Sequence, residues 1–217
     1  MRPIGAGERQ IARCSLTLTF TRWFALVSGV WLLAGCASTT LHSTWTDPGY
    51  KGGAFKRIFA IGLSARDVTA RRVLEDVLVA KLRAGGVDAV PAWQFLASDG
   101  PAGEAALAAA VSASGADGVL MARLLGVETQ TTVWPTMAPG PRFGWYGFYS
   151  GWYAHPQVTQ TQTAVVETTL FDVRSQRIVW SATSETLNPS NVQTDAPGFA
   201  DVILASLRKE GLLPAAR

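Results

Sequence analysis

The sequence predicts an α/β fold: one domain on a single mixed sheet, with elements in the order β-α-β-α-β-β-β-α and a long aromatic, glycine-rich insertion between the third and fourth strands. Three observations predict it. Short, almost unbroken apolar runs at Arg57–Leu63 and Val119–Leu125 read as strands covered on both faces. Around them, two segments place apolar residues at helical spacing, giving the alternation of a layered α/β sheet. Two further strand-like runs, Thr161–Val173 and Arg177–Thr186, are separated by Arg174-Ser175-Gln176, a span short enough for an antiparallel hairpin.

The first strand is Arg57-Ile58-Phe59-Ala60-Ile61-Gly62-Leu63. Residues 67–84 then switch to a helix: Val73, Leu74, Val77, Leu78 and Leu82 share a face, Asp67 is its N-cap, and Gly85-Gly86 end it. Arg71, Arg72, Glu75, Asp76 and Lys81 are expected on its wet side. A second strand, Val87–Ala92, follows. Ser98-Asp99-Gly100-Pro101 offers a cap with proline near the first turn of a second helix, which runs to about Ser114. That helix is alanine-rich with Leu107 and Val111 as anchors, so it should lie close against a neighbour. Gly115-Ala116-Asp117 turns into the third strand. The last helix starts near Asp195 with Pro197 in its first turn, buries Phe199, Val202, Ile203 and Leu207, and stops at Gly211 to cover one sheet face.

The N-terminus has a different logic. Arg2, Arg9, Arg13 and Arg22 precede an apolar stretch, Trp23–Leu33, that ends in Leu33-Ala34-Gly35-Cys36. That order is an export signal, and its apolar run is about half the ~20 residues a spanning helix needs. A cysteine directly after small residues marks a lipoprotein signal, because its thiol accepts a diacylglyceryl group before the peptidase cuts in front of it. Residues 1–35 are therefore expected to be removed, with Leu33, Ala34 and Gly35 read by the peptidase and Cys36 lipidated. Residues 36–53, polar and rich in Ser, Thr, Gly and Pro, read as a lipid-anchored linker whose Trp45 and Tyr50 can pack back on the domain. Residues 54–217 form the α/β envelope domain.

Cleavage changes the charge balance. The full chain of 217 residues carries +3, and subtracting the leader's four Arg and one Glu from 19 Lys+Arg and 16 Asp+Glu leaves 15 of each. A neutral mature chain without a basic stripe gives no reason to expect nucleic acid. Cys14 leaves with the leader and Cys36 takes lipid, so no disulfide is available and stability must come from an apolar core.

Four stretches carry a resemblance: the Arg57–Leu63 strand, Gly115-Ala116-Asp117-Gly118-Val119-Leu120, Leu170-Phe171-Asp172 through Ile178-Val179-Trp180-Ser181, and the final helix. Together they resemble a group of uncharacterised proteobacterial lipoproteins. More distantly, the plan is similar to the α/β envelope domains of the curli-secretion lipoprotein, the N-terminal domain of the Tol-system propeller protein, and the penicillin-binding-protein activator lipoprotein. The resemblance covers most of residues 54–213 and implies a fold and a compartment, not a chemistry. Ser175-Gln176 stands where such proteins commonly have a Thr-Gly turn.

The least ordinary segment is the loop of residues 134–156, with Trp134, Phe143, Trp145, Tyr146, Phe148, Tyr149, Trp152 and Tyr153 among Gly140, Gly144, Gly147 and Gly151. Its Thr/Gln-rich flanks, Val127–Val133 and Gln157–Gln162, can form a projecting two-stranded ribbon with the aromatics at its tip. Rings with an apolar body and a polar handle suit membrane interfaces, sugar faces and protein hot spots, and these residues are the candidate ligand or partner surface. Rings folded back to cap the domain are the structural alternative.

Catalysis has little to build on. Beyond the leader the histidines are His42 and His155, no Gly-x-Ser-x-Gly elbow or phosphate loop is present, and no His/Cys/carboxylate cluster suggests a metal. Glu167 and Glu185, on neighbouring strands, are expected to face solvent. No cofactor is expected. The sequence reading is thus a non-catalytic lipoprotein, outer-membrane and periplasm-facing because Ala37 stands where an inner-membrane retention signal would place Asp. It binds the membrane through its N-terminal lipid and acts as a binding or assembly factor for an envelope protein. The alternatives are a glycan- or peptidoglycan-binding module using the aromatic loop, and an oligomer whose ribbons insert in the membrane.

Overall fold

A computed structural model describes residues 39–63, 67–96, 102–134 and 157–215, excluding the side chains of Trp134 and Gln157. Six strands form one mixed sheet, β1 (Thr39–Thr46), β2 (Arg57–Leu63), β3 (Asp88–Pro91), β4 (Gly118–Trp134), β5 (Gln157–Asp172) and β6 (Arg177–Leu187), in the spatial order β1-β6-β5-β4-β2-β3. Among the described residues three α-helices pack on it: α1 (Val68–Ala84), α2 (Glu104–Ser114) and α3 (Val192–Lys209). The expected α/β class and single mixed sheet are what the chain forms.

β2 lies parallel to both β3 and β4, whereas β4, β5, β6 and β1 run antiparallel. The two crossovers leave β2 and β3 in opposite lateral directions, so right-handed connections put α1 and α2 on opposite faces. Alternate residues of β2 divide accordingly. Ile58 and Ala60 join a core with Leu78 and Leu82 of α1, Phe199, Ile203 and Leu207 of α3, and Leu120, Leu170 and Trp180 of the sheet. Phe59 and Ile61 join a smaller core with Val119, Ala110 and Val111. The small side chains of α2 let it sit close to the sheet, as its composition requires.

One strand escapes the sequence pattern. Thr39–Thr46, read as part of the linker, is an edge strand paired antiparallel with β6 from Thr39↔Thr186 to Thr46↔Trp180. Its Thr and Ser side chains bury little, only Leu41 packs partly on the core, and main-chain hydrogen bonds hold it. Such a strand has no apolar alternation to announce it. Of the two linker aromatics, Tyr50 stacks on Phe55 with ring centres 5.8 Å apart, while Trp45 stays 51% exposed.

The wet face assigned to α1 needs correction. Asp67 caps the helix as expected, accepting from the Ala70 amide at 2.8 Å. Glu75, however, is fully buried and Arg71 nearly so. Local polar main-chain groups explain it: Glu75 Oε1 accepts from the Gly62 amide and Oε2 from the Trp93 amide, both at 3.0 Å. The carboxylate ties α1 to the ends of β2 and β3, where strand pairing no longer satisfies these donors.

The β5–β6 turn explains the missing glycine. Gln176 adopts φ 56°, the left-handed conformation that glycine takes without penalty. The turn is held instead by Asp172, whose carboxylate accepts from the Ser175 amide at 2.8 Å and its hydroxyl at 2.6 Å. α3 begins three residues earlier than expected, because Asn191 caps it through the Thr194 amide at 3.0 Å. The Ser98–Pro101 cap of α2 lies outside the described residues, and the helix starts after Gly103.

Candidate functional site

β4 continues well past the apolar run Val119–Leu125 that predicted it, and β5 starts four residues before the expected Thr161. Their pairing continues from Gly118↔Asp172 to Trp134↔Gln157, with one slip between Leu124 and Gly126. β2 stops opposite Arg123 and β6 stops opposite Thr163, so Thr129–Trp134 and Gln157–Gln162 form a two-stranded ribbon beyond the rest of the sheet. The Thr/Gln flanks therefore do what the sequence suggested. Trp134 ends β4; Phe143, Trp145, Tyr146, Phe148, Tyr149, Trp152 and Tyr153 lie outside the described residues, as do His155 and the lipobox residues Leu33, Ala34, Gly35 and Cys36.

The register sorts the ribbon's side chains. The face on the α1/α3 side carries the cross-strand pairs Val127/Ala164, Thr129/Gln162, Thr131/Gln160 and Val133/Val158. The other carries Glu128/Thr163, Gln130/Thr161 and Thr132/Thr159. Neither has the continuous apolar band that a lipid-facing barrel strand needs. This weighs against ribbons that span a bilayer.

At the ribbon's base a cleft of about 390 Å³ opens on the helix side. Leu124, Val127 and Ala164 form its floor, Leu74 and Phe199 part of its walls, and Arg71, Gln162 and Asn191 its polar points. Its size and mixed lining fall in the range of small-ligand sites.

A second, more polar hollow of about 610 Å³ lies at the opposite end of the sheet. Its carboxylates already have structural work. Asp117 accepts from the amides of Lys56 at 2.9 Å and Arg57 at 2.9 Å, fixing the start of β2 beside β4, and Asp172 holds the hairpin turn. Asp47 lies 3.3 Å from Arg177. Burial, aided by the negative charges of Asp172 and Asp117, pushes the Tyr50 hydroxyl above its usual value.

Glu167 and Glu185 do not face each other as an acid–base pair. Both point to the sheet face that α2 leaves open, and each has its own partner: the Arg123 guanidinium at 2.6 Å from Glu167, and the His42 imidazole at 3.6 Å from Glu185. His42 thus belongs to β1 and not to a linker. Among the described residues no three His, Cys, Asp or Glu side chains gather as a metal site, and no helix is long and apolar enough to cross a membrane. Sequence reasoning missed Glu75. Its signal was available as a carboxylate one turn after Arg71, on a face that helical spacing also gives to Leu78, Val79 and Leu82.

No protein-family model matches the chain, and no curated protein matches it. Solved structures similar to it include the PelC dodecamer from Paraburkholderia phytofirmans, at 15% identity over 82% of this chain and 99% of that one, with a TM-score of 0.42. The lipoprotein GNA1162 from Neisseria meningitidis is also similar, at 16% identity over 71% of this chain and 96% of that one, with a TM-score of 0.39. At this distance, functional inference rests on the residues of this chain.

Proposed function

We propose that this chain is a non-catalytic lipoprotein of the outer membrane, facing the periplasm, that binds an envelope protein partner through the aromatic segment. One observation carries the reading: β4 and β5 continue as a ribbon whose only sequel is the run containing Trp145, Tyr149 and Trp152. A fold gains nothing in core burial from extending two strands past the helices of the described residues, so the extension is best explained by what it presents. The compartment rests on the lipobox, Leu33-Ala34-Gly35-Cys36.

Crosslinked pull-down of the acylated chain tests the reading. A partner enriched over an unrelated lipoprotein, and lost when Trp145, Tyr149 and Trp152 are all replaced by alanine, is the expected result. No enrichment over that control overturns it. Loss of binding to purified sacculi in the same triple variant would instead identify a glycan ligand. Cys36→Ala should release the protein from the membrane fraction, and unchanged fractionation would refute the anchor.

A further inference from the structure

We infer that the ribbon end of the domain is its membrane-apposed face, with the helix-side surface of the ribbon resting in the headgroup region of the bilayer. The inference rests on lipidation of Cys36 and adds to that reading where on the domain the bilayer lies.

Strand direction supplies the first reason. β1 runs parallel to β5, away from the ribbon tip, so the chain arrives at the domain from the ribbon side. Its first residue, Thr39, pairs with Thr186, which pairs with Ala164, which pairs with Val127. Thr39 Oγ1 and Thr186 Oγ1 are 2.9 Å apart, so this row is closed by side chains as well as by main chain. Cys36 is three residues earlier, a reach of at most about 10 Å when fully extended. From the same row the ribbon continues seven residues to Trp134, about 24 Å at strand rise. The ribbon is therefore longer than the tether. A bilayer that holds the lipid of Cys36 lies within the ribbon's reach, whether the sheet stands upright or leans.

Surface composition supplies the second. Among the described residues ten large apolar side chains stand exposed, and eight lie at this end, including Leu63, Leu124, Leu125, Val127, Val133 and Val158. Elsewhere only Trp45 and Ile178 do. In Leu124–Trp134 and Gln157–Val166 the only charged residue is Glu128, which points away from the helix side. Val127, Val133 and Val158 share the helix-side face with uncharged Thr and Gln, and the cleft floored by Leu124, Val127 and Ala164 opens on it. An apolar, charge-free strip with hydrogen-bonding side chains suits the headgroup boundary rather than the hydrocarbon interior.

Acylation of Cys36 makes an introduced cysteine the only free thiol, so nitroxide labels can be placed one at a time in the acylated full chain. In vesicles of phosphatidylethanolamine and phosphatidylglycerol, labels at Val133→Cys and Val158→Cys should lose about tenfold in contact with a water-soluble relaxation agent and gain contact with oxygen, as expected ~5–10 Å into the boundary. A label at Ser175→Cys, at the far end of the sheet, should keep full contact with water. Equal water access at all three sites overturns the inference. Mass spectrometry of the same sample separates the causes: an acylated amino end with a wet ribbon refutes the orientation alone, whereas an unmodified amino end refutes the anchor and the orientation with it.

Discussion

From Gly118 to Arg123, β4 lies between β2 and β5, and both faces of its inner residues are covered; from Thr129 onward, among the described residues, β5 alone lies beside it. One strand pair thus passes through two environments. In the first, Val119, Leu120 and Ala122 are buried and their identity is dictated by packing. In the second, Thr and Gln alternate on both faces and hydrogen bonding holds the pair together. The body of the sheet answers to stability, whereas the ribbon can change its side chains at little cost to folding, which is the condition for a surface shaped by what it contacts.

Substitutions in the two halves should separate these demands. The largest effect is expected at Trp180, fully buried beneath α3: Trp180→Ala should cost ~3–5 kcal/mol, read as a lower midpoint in urea. Next comes Glu75→Ala, which leaves the Gly62 and Trp93 amides without their acceptor, at ~1–3 kcal/mol for the buried Gly62 donor and less for the half-buried Trp93 one. Its pH dependence is distinctive. Burial raises the Glu75 carboxyl above its usual 4.5 despite the two amide donors and Arg71. A raised folded value means the stabilising contribution is full below 4.5 and is lost as pH rises through the folded value. Glu75→Gln should abolish that decline, so unfolding curves of wild type and variant should draw together, or cross in favour of the variant, as pH rises.

A smaller effect of opposite sign is expected at the hairpin. Gln176→Gly relieves a left-handed residue worth ~1–2 kcal/mol but frees the unfolded chain by ~0.5–1, for a net gain between zero and about 1.5 kcal/mol in thermal unfolding. The smallest lies in the ribbon, where Thr131→Ala should change stability by less than about 0.5 kcal/mol. A loss above 2 kcal/mol there would erase the distinction between the halves.

Much of the body was legible because burial writes periodicity. Arg57–Leu63 announced a strand covered on both faces, and Val73 to Leu82 announced α1, with Asp67 as cap. β1 was illegible for the opposite reason: an edge strand of Thr, Ser and His earns its place through main-chain bonds, which leave no pattern in side chains. Glu75 was misread because charge was taken as exposure, although two amides at strand ends needed an acceptor. The ribbon was legible from its Thr/Gln flanks, length included, because Val127–Val133 and Gln157–Gln162 carry β-forming Thr and Val up to the first aromatic residue; what the apolar run Val119–Leu125 did not show is that β4 continues into it unbroken.

Asp117 has an implication for how load is divided in the domain. With Gly115 at φ 66° ending α2 and the Asp117 carboxylate gripping the amides of Lys56 and Arg57, this short junction is a mechanical joint between a helix and two neighbouring strands. The joint lies at the end of the sheet opposite the ribbon, so substitutions in the projecting arm leave its hydrogen bonds untouched, and the body can hold its register whatever the arm carries.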